Sequence, residues 1–402
     1  MGAPAAPVDP RTGLSAARFG VYVHFPYCLS KCPYCDFAST AAKVVPEARY
    51  TDALLGELRR RVEAHGLAGQ RAQSVFIGGG TPSLWQPANV ARVLDALAKA
   101  LALDGGAEVT LEANPGAADA ERFAGYRAAG VNRLSMGVQS FQAATLAALG
   151  RAHDGATARR AYDAARAAGF DNVSMDFIYG VQGQSVAQVE ADAREAAALG
   201  PEHLSAYALT LDQASLAEEV PLAKQLARGE VRLPPDEVVV AMQRVVRDVY
   251  LAHGLVRYEV SNYARPGFHS RHNALYWTGG EYLALGVGAT GFLVRAEGSF
   301  RYANHRSAER YLVEAEAGRL PEASREALTD LERFEERVAM GLRLATGVDL
   351  DAVCADFGQD AAPRLAVVEH LVAGALARRE DGRVVLTDAG FDVHSAIAAR
   401  LM

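Results

Sequence analysis

The 402-residue chain is half hydrophobic, enough for a sizeable buried core and, by its length, for two or three domains. Its formal net charge of −7 argues against a strong electrostatic grip on nucleic acid, and no apolar run reaches the length of a membrane helix. Four cysteines, three of them within eight residues, make no disulfide framework and point to clustered thiolates in a reducing compartment, the cytoplasm.

Residues 1–18 are proline-rich at their start and lack a basic segment followed by an apolar stretch, so they read as a disordered tail and not a signal peptide. Six β-rich runs then follow at Phe19–Pro26, Ser74–Gly80, Val109–Pro115, Arg133–Ser140, Asn172–Gly180 and His203–Leu211. Stretches of helical periodicity separate them, including Tyr50–His65, Val90–Leu101, Asp119–Ala129 and Thr157–Ala168. Strand–helix alternation of this kind implies an α/β fold with parallel strands and right-handed crossovers. Six units are too few for a closed eight-unit barrel; a partial (β/α)6 barrel and an open doubly wound sheet both fit. Further along, a charged helix is expected among the prolines of residues 212–235, a long helix at Glu237–His253 and a strand at Tyr258–Tyr263. The segment His269–Trp277 and a glycine-rich stretch, Leu285–Gly291, precede a last hundred residues that read as helices ending in a hairpin-like wing at Gly382–Gly390. The expected organisation is a tail (1–18), a barrel (19–235), a bridging segment (236–300) and a smaller, mostly helical winged-helix-like domain (301–402).

The densest chemical signal is Cys28-x-x-x-Cys32-x-x-Cys35, in a loop just after the first strand. A cubane iron–sulfur cluster ordinarily takes four thiolates. Three leave one iron open, and an open coordination position is a reactive one. The plainer alternatives are a zinc site with a distant fourth ligand, or surface thiols. The position after the first strand and the aromatic Tyr34 favour the cluster. Isolated Cys354 reads as a buried apolar thiol.

Polar and glycine residues collect where the later strands end, which is where β/α folds build their sites. Gly78-Gly79-Gly80-Thr81-Pro82 ends the second run, Glu112 and Asn114 the third, Gln139 the fourth and Asp176 the fifth. Consecutive glycines let a ligand approach bare backbone, although a tight turn would also use them. Glu112, Gln139, Arg151 and Asp176 offer hydrogen bonds to the hydroxyls, amine and carboxylate of a nucleoside-like cofactor.

These motifs, with Tyr22-Val-His-Phe-Pro-Tyr-Cys-Leu-Ser-Lys-Cys-Pro-Tyr-Cys-Asp36, Glu112-Ala-Asn-Pro115, Gly137-Val-Gln-Ser-Phe141, Gly150-Arg-Ala-His153 and Asp176-Phe-Ile-Tyr-Gly180, resemble the oxygen-independent coproporphyrinogen III oxidase family of radical S-adenosylmethionine (SAM) proteins. The resemblance implies a partial barrel, a 4Fe–4S cluster on Cys28, Cys32 and Cys35, and SAM held by Tyr22, Tyr34, Gly79, Gly80, Thr81, Glu112, Gln139, Arg151, Asp176 and Ala208. Within the family, the oxidases carry a further cysteine two positions after the last cluster cysteine and a longer N-terminal extension. Here that position is Phe37, and 27 residues precede Cys28. The HemW-type heme chaperone branch reads Cys-Pro-Tyr-Cys-Asp-Phe and carries His-Asn-x-x-Tyr-Trp, and both are present, the latter as His272–Trp277.

The chain therefore resembles the heme chaperones more than the oxidases. That branch implies heme as cargo and hemoproteins as acceptors, membrane-associated respiratory proteins among them. His272 would offer an imidazole to heme iron, and Tyr276 and Trp277 faces to the macrocycle. The competing reading makes His272 a hydrogen-bonded core histidine and the aromatics packing. His24 is a further candidate near the cluster.

Overall fold

The computed structural model of the protein describes residues 19–117, 120–211 and 220–402. Six parallel strands alternate with helices through the first half: β1 (Phe19–Phe25), α1 (Glu47–Ala64), β2 (Arg71–Gly79), α2 (Pro87–Ala100), β3 (Ala102–Ala113), α3 (Ala120–Ala128), β4 (Arg133–Gln139), α4 (Gly155–Ala167), β5 (Val173–Tyr179), α5 (Val186–Leu199) and β6 (His203–Ala208). Strands β1 to β6 lie side by side in chain order. A doubly wound sheet reverses its order at a switch point; no reversal occurs here, so the partial (β/α)6 barrel is the architecture present. Local chemistry delimits the helices. Asp154 accepts from the Thr157 amide at the head of α4, and Ser185 with Gln188 forms a capping box on α5, which Gly200 ends in left-handed backbone.

The expected tail, the start of the helix expected from Asp119, and residues 212–219 of the proline-flanked segment lie outside the described residues. Beyond β6 comes α6 (Asp236–Ala252), as expected. The single strand expected over Tyr258–Tyr263 is instead a hairpin, β7 (Val256–Glu259) and β8 (Asn262–Ala264), because Val260 and Ser261 turn the chain. Helix α7 (Arg271–Thr278) then crosses the lower, N-terminal end of the parallel strands. There Leu275 meets Gly20 of β1, and His272 meets Ser74 of β2.

The next strand, β9 (Glu281–Gly286), pairs parallel with β1 on the side away from β2. Strands β10 (Thr290–Arg295) and β11 (Gly298–Asn304), helix α8 (Ala308–Glu316) and strand β12 (Glu322–Leu328) follow, and among the described residues the sheet reaches twelve strands. The glycine-rich stretch at Leu285–Gly291 is thus the end of one strand and the start of another. Gly286 (φ +99°) is required where β9 crowds β1, since a Cβ there would stand 2.4 Å from the His24 carbonyl oxygen. The boundary expected at 301 falls inside β11, whose side chains belong to the large sheet.

A buried ion pair anchors this extension to the barrel. Glu57 and Arg61 of α1 have fully buried side chains 2.8 Å apart. Glu57 also accepts from the Gly286 amide and the Tyr311 hydroxyl, and Arg61 donates to Asn304 and lies over the Tyr302 ring.

The smaller unit comprises α9 (Asp330–Gly341), α10 (Leu350–Asp356), α11 (Ala362–Ala373), the hairpin β13 (Ala377–Glu380)–β14 (Arg383–Leu386) and α12 (His394–Leu401), around a core that includes Phe334, Val338, Leu371 and Leu401. The wing begins at Ala377, ahead of the expected Gly382, and turns at Asp381-Gly382, both at positive φ as a two-residue hairpin turn demands. Among the described residues no helix is long and apolar enough to cross a membrane.

Candidate cofactor site at the strand ends

The loop that carries the three cysteines leaves β1 and is closed by a short parallel pairing of Tyr27–Cys28 with Thr40–Ala41. Cys28 is buried, while Cys32 and Cys35 are half-buried and joined by a turn in which the Cys35 amide donates to the Cys32 carbonyl. All three line one cavity of about 480 Å³ at the C-terminal ends of the barrel strands. Cys354 is far away, 2 % exposed in the core of the smaller unit, as its isolation suggested. Among the described residues no three His, Cys, Asp or Glu side chains converge on a single-ion site. Burial pushes the Cys28 and Cys35 thiols up, so metal coordination is what would hold them as thiolates. Arg151 Nη1 approaches Cys32 Sγ at 3.6 Å and supplies positive charge beside the sulfur. Three sulfurs with no fourth, opening on a polar cavity, fit a 4Fe–4S cluster with one iron free for SAM.

Opposite the loop, β2 ends in the glycine triplet. Gly79 has φ +114°, and a Cβ on it would stand 2.7 Å from the His24 ring. A Cβ on Gly80 would stand 2.8 Å from the Tyr27 carbonyl oxygen and 3.0 Å from Cys28 Sγ. The bare backbone therefore forms a cradle directly beside a cluster cysteine. His24 is the wall behind it. Its Nδ1 bonds the Tyr22 hydroxyl at 2.9 Å and its Nε2 the Ala38 carbonyl at 3.1 Å, and burial holds the imidazole down at about 4, hence neutral. His24 thus joins β1 to the cysteine loop without facing a ligand.

Glu112 accepts from the Gly79 amide at 3.0 Å; burial first, then the charge of Asp176, pushes its carboxyl up to about 8. Arg151 Nη2 donates to Asn114 Oδ1 at 2.7 Å and to the Gly137 carbonyl at 2.8 Å, so one side chain ties the cysteine loop to β3 and β4. Asn114 in turn donates to Thr81. Gln139 sits in left-handed backbone at φ +66°, next to a register shift between Gly137 and Gln139. A bulge re-aims the side chain at a strand end, and such strain in a non-glycine residue marks functional positions. Asp176, raised by burial, accepts from Ser135 at 2.9 Å.

Tyr34, Gly79, Gly80, Thr81, Glu112, Gln139, Arg151, Asp176 and Ala208 line the same cavity as the cysteines. Two expected residues do not. Tyr22 bonds His24 and stacks on Phe76, so it buttresses the wall. His272 is 1 % exposed, with Nδ1 bonded to Ser74 Oγ and Nε2 to the Tyr276 hydroxyl, both at 3.0 Å. Burial, then the charge of Arg133, holds the imidazole down at about 3. Both nitrogens are engaged by hydroxyl groups, the arrangement of the hydrogen-bonded core histidine that the competing reading expects. Trp277 likewise packs on Tyr258.

The member of that motif that does face the cavity is Asn273. With Arg133, Ser135, His203 and Ser205 it forms a polar lower wall that the sequence reading did not single out. The available signal was the period-two run of Arg133, Ser135, Gly137 and Gln139 along β4, all four of which line the cavity.

A family model described as the Radical SAM superfamily matches residues 22–196, and one described as the HemN C-terminal domain matches residues 328–393. The heme chaperone HemW of Escherichia coli is 39 % identical over 279 residues, covering 69 % of this chain and 71 % of that protein. The heme chaperone HemW of Mycobacterium tuberculosis is 35 % identical over 387 residues, covering 96 % and 95 %. Among solved structures, coproporphyrinogen III oxidase (HemN) of Escherichia coli, a radical SAM enzyme, superposes with a TM-score of 0.80 over 96 % of this chain and 90 % of that one. Its sequence identity is 20 %, so what it shares with this chain is the fold.

Proposed function

The chain belongs to the heme chaperone HemW family of radical SAM proteins, and on that premise we propose that it binds heme and delivers it to acceptor hemoproteins, with a cluster- and SAM-binding mouth in support. The observation that carries the reading is the likeness to heme chaperones along nearly the whole chain. Phe37 adds to it. The residue is 52 % exposed on the cavity rim, at the position where the resemblance puts another cysteine in the oxidases.

In this reading Cys28, Cys32 and Cys35 hold the cluster, and Gly79, Gly80 and Glu112 orient SAM beside it. When bound, the cluster and SAM together supply one-electron chemistry at the cavity mouth. The chain's own residues shape that chemistry. Arg151 keeps the loop against the strand ends, and the Gly79 amide fixes the Glu112 carboxyl, which is raised to about 8 and so offers a hydroxyl donor at neutral pH. Acceptors are hemoproteins, including membrane-associated respiratory proteins.

The fold likeness to coproporphyrinogen III oxidase favours one alternative, radical decarboxylation of coproporphyrinogen III. A single pair of measurements separates the two. Anaerobically reconstituted protein is titrated with heme, then passed over an apo-hemoprotein whose Soret band reports transfer; in parallel it is incubated with SAM, reductant and coproporphyrinogen III. The chaperone reading expects heme binding, transfer and no protoporphyrinogen IX. Decarboxylation over many turnovers overturns it.

A further inference from the structure

We infer that the barrel interior below the strand-end rim is a second ligand chamber, in which Arg133 and Asn273 receive a carboxylate group.

Arg133 opens β4 and is 2 % exposed, yet it lines the cavity. Its guanidinium makes no hydrogen bond or ion pair among the described residues, and Nε is buried without a partner. A guanidinium stays charged in a protein, and a buried charge left unpaired is strongly unfavourable. Asn273, on the helix that closes the barrel from below, lines the same cavity, and its carboxamide makes no hydrogen bond with any described residue.

The helix that carries Asn273 is held in place from several sides. Glu108, 3 % exposed, accepts from the Arg271 and His272 amides at 3.0 and 2.9 Å, and His272 is pinned by Ser74 and Tyr276. The neighbouring polar groups are already engaged. Ser135 donates to Asp176 and Ser205 to Asn262, while His203 bonds both Ser174 and Tyr258. What remains free at this level is therefore a planar cation and an amide. A guanidinium fork matches a carboxylate with two parallel hydrogen bonds. Three carboxyls line the cavity: Asp36 on the cysteine loop, and Glu112 and Asp176 on β3 and β5, which burial pushes up while the charge of Arg133 draws Asp176 back down; Arg133 is the cation at the floor. The rim, with the cysteines and the glycine cradle, is a separate level of the cavity. The inference does not rest on heme being the cargo.

The carboxylate belongs either to a free short-chain acid or to the propionate arm of a tetrapyrrole. The test uses cluster-loaded protein, with SAM added after each probe. The thermal-unfolding midpoint is measured with sodium propionate, with propionamide and with sodium chloride at matched ionic strength; heme and heme dimethyl ester are titrated by absorbance. A free-acid ligand raises the midpoint with propionate alone. A tetrapyrrole arm instead makes the diester bind about tenfold more weakly than heme. In either case Arg133→Met and Asn273→Leu each weaken the effective probe about tenfold while leaving SAM affinity unchanged. Asn273→Leu decides the matter if Arg133→Met does not fold. The inference is overturned if neither probe responds to these substitutions, or if SAM affinity falls in step with them, which would assign both residues to the SAM site.

Discussion

Gly79 carries two constraints at once, a left-handed backbone and a ring 2.7 Å from where its Cβ would be. Gly79→Ala should cost roughly 1–3 kcal/mol of stability and weaken SAM binding in calorimetry, while iron and sulfide content stay near four each. Serine at Cys28, Cys32 or Cys35 should abolish the brown chromophore, whereas Cys354→Ser, in the core of the smaller unit, should keep it; loss of colour in that last variant would mean a fourth sulfur ligand. The buried imidazole of His272 makes a pH prediction with a definite sign. Its folded value, about 3, lies below its ordinary one, so the stability it lends is complete above about pH 6.5 and is lost as pH falls toward 3. The slope is about 1.4 kcal/mol per pH unit. His272→Gln should therefore show a shallower fall in unfolding midpoint between pH 6.5 and 5. Glu112 works the other way: held up at about 8, it lends stability at low pH that fades as pH rises from the ordinary carboxylate range, and Glu112→Gln should flatten that decline.

At the scale of elements, burial decides which ion pairs matter. Arg61→Met strands Glu57 in the core and should cost about 3–5 kcal/mol, whereas Arg71→Met, whose side chain is 72 % exposed beside Asp104, should cost less than about 1 kcal/mol by denaturant titration. Comparable losses for the two would disprove the anchoring role given to Glu57 and Arg61. Elements differ equally in how legible they were. The six barrel strands announce themselves because parallel strands are buried on both faces and read as apolar runs. Strand β12 does not: Glu-Ala-Ser-Arg-Glu-Ala-Leu is composed of good helix formers, and pairing with β11 overrides that preference at an exposed sheet edge. Likewise β9 was hidden because its partner, β1, lies some 260 residues earlier in the chain.

Across the whole molecule the rim of the site was readable and its floor was not, for a physical reason. The rim uses rare residue types in short runs, three cysteines and three glycines. The floor is assembled from single residues of separate strands, Arg133, His203 and Ser205, brought together only by the sheet. A histidine beside an asparagine could not disclose that both of its nitrogens were taken. The helix they sit on has a kinetic consequence. With His272, Ser74, His203 and Tyr258 all at most 1 % exposed, the bottom of the barrel is closely packed among the described residues. A molecule bound at Arg133 must then arrive and leave past the rim, and SAM seated there acts as a stopper. Association becomes sequential, the inner ligand first, and SAM traps it. In a pulse–chase experiment, labelled propionate or heme should escape more slowly when SAM is added after it, and should load more slowly when SAM is added before. Equal escape rates with and without SAM would reveal a second doorway.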